Sequence, residues 1–130
     1  MTTKSMAYDH PTYTVPVVYS GLTTVGANGV STKWAAYTAM QIKSVTLGPV
    51  IATTAAGSTP LLYSKSGTAT STSTLTALTS ASSAGVNNAL ATAVSLAQGD
   101  QFWVTHGTDA TAAVAVAIEC VVTPGTTITQ

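Results

Sequence analysis

LATAVSLAQGDQFWVTHGTDATAAVAVAIECVV, residues 90–122, is the stretch on which the fold turns. Leu90 to Leu96 alternates large and small side chains, and Ala97-Gln98-Gly99-Asp100 is a turn by composition. Gln101 to His106 is a second extended run, Gly107 to Ala110 a second turn, and a long return run begins at Thr111. In that return, Val114, Val116, Ile118, Cys120 and Val122 share one register, while Ala113, Ala115, Ala117, Glu119 and Val121 share the other. A period of two puts these sets on opposite faces of a strand. The β-branched set is the core face and the alanine set the outer or contact face. The whole stretch is expected to be a hairpin unit. Phe102 is expected in its core. Trp103 points the other way and is either core or an amphipathic anchor at an interface.

Upstream, the same signals recur. Met1 to Thr12 is polar and without period, as expected of an arm. Tyr13 to Tyr19 is extended, but Pro16 removes a ladder donor. That makes it an edge strand or a segment laid along a neighbour. Asn28-Gly29 is a turn able to take positive φ. Residues 31–40 fit either a short helix capped by Ser31, with Trp34, Tyr37 and Met40 on one face, or a strand; the β signals on both sides favour the strand. Gln41 to Leu47 is a strand whose registers mix around Lys43, and Gly48-Pro49 is expected to end it before a further short strand at Val50 to Thr54. Leu61 to Ser66 is another strand. Ala69 to Ser83 is Ser/Thr/Ala-rich, anchored by Leu75 and Leu78, and is assigned to a strand. About eight short strands divided by Gly, Pro and Asn turns predict an all-β antiparallel sandwich or barrel. The expected organisation is an arm at 1–19, a sandwich domain at 20–123 and a tail at 124–130.

Composition narrows the function. A chain of 130 residues suits one domain. Leu, Ile, Val and Phe make up about a fifth of it, close to the level of disordered chains. Disorder, however, goes with high net charge, and here the formal net charge is 0. Only 6% of residues are charged, with lysines at 4, 33, 43 and 65 and no arginine. Four scattered lysines do not make the cationic footprint that nucleic acid requires, so no nucleic-acid partner is expected. A neutral Thr, Ser and Ala surface is unlike that of a freely diffusing monomer and suits a protein packed against others. The single cysteine, Cys120, excludes an internal disulfide and falls on the core register. The first residues carry no signal-peptide pattern, and no run reaches the ~18 apolar residues of a membrane helix. The chain is expected to be made and kept in the cytosol until it assembles.

No set of residues promises chemistry. Asp9 and His10 are adjacent groups on an arm, too few for a metal site. His106 and Asp109 share a turn, but no nucleophile elbow accompanies them, and His106 is expected to cap that turn. Glu119 has no second carboxylate placed by a glycosidase pattern. Residues 26–29 lack the lysine and helix of a phosphate loop. No catalytic, cofactor or metal residues are assigned. Trp34, Phe102 and Trp103 are the side chains that could stack on a sugar, and Trp34 or Trp103 on the solvent face would favour glycan binding. The expected interface residues are Tyr8, Tyr13, Val15, Val17 and Tyr19, in the arm and its extension, together with Trp103.

Ile42 to Leu47, then Leu61-Leu62-Tyr63-Ser64-Lys65-Ser66-Gly67-Thr68, then Leu96-Ala97-Gln98-Gly99-Asp100-Gln101-Phe102-Trp103-Val104, with the Ala/Val strand that closes the chain, resemble small virion proteins of tailed bacteriophages. The family most similar in this respect is the capsid decoration, or cement, proteins. The resemblance covers Gln41 to Val122 and is carried by strand and turn chemistry. It implies a jelly-roll sandwich with a polar arm and no catalytic set. It further implies a homotrimer on the capsid surface that clamps neighbouring copies of the major capsid protein. Phage fibre and tail-tip domains share the pattern, so binding of a host receptor or glycan is the alternative.

Overall fold

A computed structural model describes residues 15–51, 59–76, 85–107 and 113–122. Among them are eight strands and no helix: β1 (Val15–Leu22), β2 (Trp34–Ala35), β3 (Met40–Ile51), β4 (Leu61–Ser66), β5 (Ala69–Thr74), β6 (Val86–Leu96), β7 (Gln101–Thr105) and β8 (Ala113–Val122). They form two antiparallel four-stranded sheets, the first in the order β1-β8-β3-β6 and the second in the order β2-β7-β4-β5. The expected all-β sandwich is the observed architecture. Every connection except β4–β5 carries the chain from one sheet to the other.

The core face of β8 is the one its register predicts. Val114, Val116, Ile118 and Cys120 are buried, and Glu119 is exposed. Ile42, Val45 and Leu47 of β3, Leu62 of β4, and Phe102 and Val104 of β7 close over them from the two sheets. Fully burying a side chain of this size contributes about 1.5–3 kcal/mol, so this thin layer is the main source of cohesion.

The hairpin expected over residues 90–122 is not formed. β6 and β8 lie in the first sheet and β7 in the second. The reason sits in the turn. Asp100 accepts the Ala97 N–H through Oδ2 at 2.9 Å, and its own N–H reaches the Ala97 carbonyl at 3.0 Å. Gly99, at φ 90°, donates to Ala36 O at 2.7 Å, and Ala36 donates to Asp100 O at 2.8 Å. Backbone groups that would have continued a hairpin are taken by Ala36, and the chain crosses between sheets. Leu96 and Phe102 on either side of the turn are both buried.

Three further differences from the sequence reading have local causes. β3 does not stop at Gly48-Pro49 but pairs with β8 as far as Ile51 opposite Ala113. β6 ends at Val86 opposite Leu47, so Pro49 has a strand on one side only, where a missing donor is tolerated. Second, the strand favoured for residues 31–40 forms, in place of the helical alternative, but only over the two residues of β2, with Met40 already opening β3. Ser31 is no N-cap: its Oγ accepts the Val104 N–H at 3.0 Å, and its N–H donates to Val104 O at 2.9 Å. Third, the boundary drawn between residues 19 and 20 falls inside β1, which pairs with β8 from Val15↔Val122 to Leu22↔Ala115. Thr23 prolongs this pairing, its Oγ1 accepting the Val114 N–H at 2.9 Å. Elsewhere the mixed registers at Lys43 correspond to a bulge between Ile42 and Ser44. Asn28 takes the positive φ of its turn, at 54°. Leu75 is buried just beyond β5. The arm residues 1–12 with Tyr8, then Tyr13, Leu78, the expected strand beyond Ile51, Asp109 and the tail 124–130 lie outside the described residues.

Candidate functional site

The side chains that point away from the core define two outer faces. On the first sheet, strand alternation and pairing place Val18, Ser20 and Leu22 of β1 beside Glu119, Ala117 and Ala115 of β8. Ser44, Thr46 and Gly48 of β3 continue the same rows. Val18 and Leu22 are each 60% exposed. Beside them runs a shallow trough of about 460 Å³ lined by Leu22, Thr46, Gly48, Ala115 and Ala117 among others. The face is nearly free of charge. Ser44 Oγ donates to Glu119 Oε2 at a long 3.5 Å, and Asn87 Nδ2 donates to Thr46 Oγ1 at 2.7 Å.

The second sheet is built otherwise. Its register sets Tyr63 of β4 opposite Trp103 of β7 and opposite Thr72 of β5. The Tyr63 and Trp103 rings stack with centroids 5.2 Å apart and planes 3° from parallel. Lys33, just before β2, holds Nζ 4.6 Å from the Trp103 ring centroid. β2 and β4 flank β7 on opposite sides. Lys33 and Tyr63 therefore cover opposite faces of the indole, in a cation–π contact and an aromatic stack.

The expected interface residues separate accordingly. Val15 is 48% exposed at the start of β1. Val17, opposite the buried Cys120, and Tyr19, opposite the buried Ile118, point inward. The Tyr19 ring meets Phe102 edge-on at 5.0 Å and lies 6.1 Å from Trp34, which commits it to the core. Burial, with smaller contributions from Cys120 and Tyr37, pushes its phenol pKa up. Trp103 does face outward, with both faces of its ring occupied. Trp34 packs on Phe102 inside the sandwich, so none of the three candidate sugar-stacking residues offers a free aromatic face. Val18 and Leu22, which protrude from β1 as Val25 and Tyr37 do from the loops beyond it, were missed. The signal was their alternation with Val17, Tyr19 and Gly21 along β1.

The titratable groups do not assemble. Glu119 lies on the outer face of the first sheet, whereas His106 is buried at the end of β7. The His106 ring fills the space left by Gly29, where a Cβ would come within 2.4 Å of Nε2. Neither ring nitrogen has a hydrogen-bond partner, so the side chain does not cap the turn; the His106 backbone N–H donates to Gly29 O at 3.2 Å. Burial, then the neighbouring Glu119 carboxylate, pushes the Cys120 thiol up to about 11, which makes it a poor nucleophile at neutral pH. Among the described residues no three His, Cys, Asp or Glu side chains gather as metal ligands, and no helix is long and apolar enough to cross a membrane. No protein-family model and no curated protein matches the chain.

Proposed function

We propose that the protein is a virion structural protein, a jelly-roll decoration or cement protein that binds an assembled capsid shell as a homotrimer and has no catalytic activity. Supporting the jelly roll is the path of the chain: first and last strands pair, and successive strands alternate between sheets everywhere except at β4–β5. The observation that carries the shell-binding reading is the outer face of the first sheet, where Val18 and Leu22 stand exposed beside a nearly uncharged trough. An apolar face of this kind is costly to leave in water and suits a partner surface. The major capsid protein is the partner proposed for it. Many copies on one shell turn weak single contacts into stable occupancy. Residues 1–14 are proposed to add a contact to a neighbouring copy or to the shell, as an extended segment can.

The test is co-sedimentation of the purified chain with mature capsids, together with its mass in solution. A trimer that pellets with shells supports the reading; a monomer that stays in the supernatant refutes it. A chain beginning at Val15 keeps all of β1 and should bind more weakly while remaining folded. The fibre or tail-tip alternative would show instead as binding to a host surface glycan without binding to shells.

A further inference from the structure

The two sheets end in four edge strands, β1 and β6 on the first and β2 and β5 on the second. Three of them are blunted against pairing with another chain. β1 carries Pro16, which has no N–H to offer, and β2 is only two residues long. β6 breaks its ladder: Ile42 pairs with Val94 and Ser44 with Ala89, so residues 90–93 oppose Lys43 alone. β5 has none of these devices. Its six residues, ATSTST, include no proline and no charge, and they keep an unbroken register with β4 from Ser66↔Ala69 to Leu61↔Thr74. Gly67, at φ 59°, opens the two-residue turn between the strands. Such a turn closes on a hydrogen-bonded pair, so alternation directs the N–H and C=O of Thr70, Thr72 and Thr74 away from β4. Among the described residues no strand pairs with them.

The core is incompletely covered on the same side. β5 lies over β6, and just past its end the Thr76 N–H donates to Asn88 Oδ1 at 2.7 Å. Ala69, Ser71 and Ser73 hold the inner register of β5, yet Ala69 and Ser71 are exposed. Across from this strand, Val86, Leu90 and Val94 of β6 pack against the core and are only partly buried. A bare edge thus adjoins a half-covered apolar row. An added strand with apolar side chains at alternate positions completes both.

We propose that residues 5–10 of a second copy of this chain add to the β5 edge as a further antiparallel strand. Ser5-Met6-Ala7-Tyr8-Asp9-His10 matches β5 in length and stops at Pro11, which cannot donate to a ladder. Met6 and Tyr8 share one register and cover Leu90 and Val94; Ala7 and Asp9 share the other and join Lys65 on the outer face. The segment has to come from another copy. β1 lies over β2, where a Cβ on Gly21 would come within 3.2 Å of the Trp34 ring, and β5 is at the far edge of that sheet. A strand beyond β5 is about 19 Å sideways from β1 and about 10 Å across, or about 21 Å straight through the core. From His10 to Val15 the chain spans at most about 18 Å, and its path would have to go round the molecule. The contact is head-to-tail and closes into a ring. It therefore deepens the homotrimer reading, on which it rests, and leaves the outer face of the first sheet to the shell.

The experiment is amide hydrogen exchange of the full chain, read by nuclear magnetic resonance, together with its mass in solution. In the trimer, the amides of Thr70, Thr72 and Thr74 should be protected about a hundredfold or more relative to an unpaired edge. Thr72→Pro removes one outward donor at a position where an edge strand tolerates proline. It should weaken the trimer about tenfold or more and expose the Thr70 and Thr74 amides to exchange. Tyr8→Asp, which changes no residue of either sheet, should do the same, and both variants should keep the circular dichroism of the native chain. A trimer whose β5 amides exchange freely overturns this proposal and leaves the homotrimer reading standing, whereas a monomer overturns both. Protection that survives Tyr8→Asp also overturns it, because the edge is then held by something other than this segment, such as β5 of another copy.

Discussion

The two outer faces of the sandwich follow opposite rules. On the second sheet, Lys33, Trp103 and Tyr63 stack across three adjacent strands, so the large side chains cover one another. On the first sheet, Leu22 stands beside Ala115 and, beyond it, Gly48, both too small to cover it, and Val18 stands beside Glu119 and stays equally exposed. The first arrangement satisfies itself and contributes to the stability of the monomer. The second leaves apolar area in water and gains from a partner. Charge count alone could not separate them, because both faces are poor in charge. What differs is where the large residues sit relative to small ones across the strands, the unit in which sheets are stabilised.

The largest effect should come from charging the first face. Leu22→Lys is expected to weaken shell binding about a hundredfold or more, because an unpaired ammonium would be buried in the contact. It should leave folding nearly unchanged, within about 0.5 kcal/mol, because Leu22 is exposed in the monomer. Sedimentation with capsids and thermal melting read the two quantities separately. Unchanged binding would remove this face from the contact.

Trp103→Ala should do the reverse. Loss of the half-buried indole with its stack is expected to destabilise the monomer by about 2 kcal/mol. Shell binding per folded molecule should stay the same. Reduced binding by a variant that is still folded would place the second face in the interface and break the comparison.

Between the faces lies the shared core, and Cys120 reports on it. The thiol is raised from its ordinary 9.0 to about 11 in the folded chain. Below pH 9 it is protonated in both states and costs nothing. As pH rises from 9 to 11 the unfolded chain loses this proton first, and stability falls by up to about 2 kcal/mol. Denaturant unfolding at pH 8 and pH 10.5 should show this loss, reduced in Cys120→Val; Tyr19, also raised, contributes the remainder. An equal loss in the variant would show that the thiol is not buried as described. Reductant should leave the melting temperature of the native chain unchanged, since Cys120 is a buried free thiol.

Much of this was legible wherever the signal was local. The faces of β8, the burial of Phe102, the bulge at Lys43 and the turn at Asn28 follow from alternation and from backbone preferences of a few residues. What alternation does not carry is the sheet a strand joins. β6, β7 and β8 read as one hairpin unit, yet Ala36 intercepts the turn at Gly99 and Asp100 from more than sixty residues upstream in the chain. β1 looked like an arm because Pro16 marks an edge, and an edge strand of the chain's own sheet bears the same mark as a strand laid on a neighbour. The two outer faces were half legible. The alanine register of β8 indicated a contact surface, but Val18 was hidden in a segment assigned to the arm and Leu22 lay just beyond its boundary. The Lys33–Trp103–Tyr63 stack needs the register of β2, β4 and β7, which lie far apart in sequence, and cannot be inferred from composition.

The smallest effect tests whether the second face is one unit or a coincidence of neighbours. Lys33→Met keeps the aliphatic stem and removes the charge, so it isolates the cation–π contact. At an exposed site such a contact contributes about 0.5–1 kcal/mol. In a chain that already carries Trp103→Leu the ring is gone, and the same lysine substitution should cost close to nothing. The difference between the two costs is the coupling energy, and a double-mutant cycle by denaturant unfolding reads it directly. Added salt should weaken the coupling only modestly, because the ammonium sits on the ring and not across open solvent. A coupling of zero would mean that Lys33 only passes over Trp103. The indole would then have one free face, and the second sheet would regain the aromatic platform that a glycan-binding surface requires.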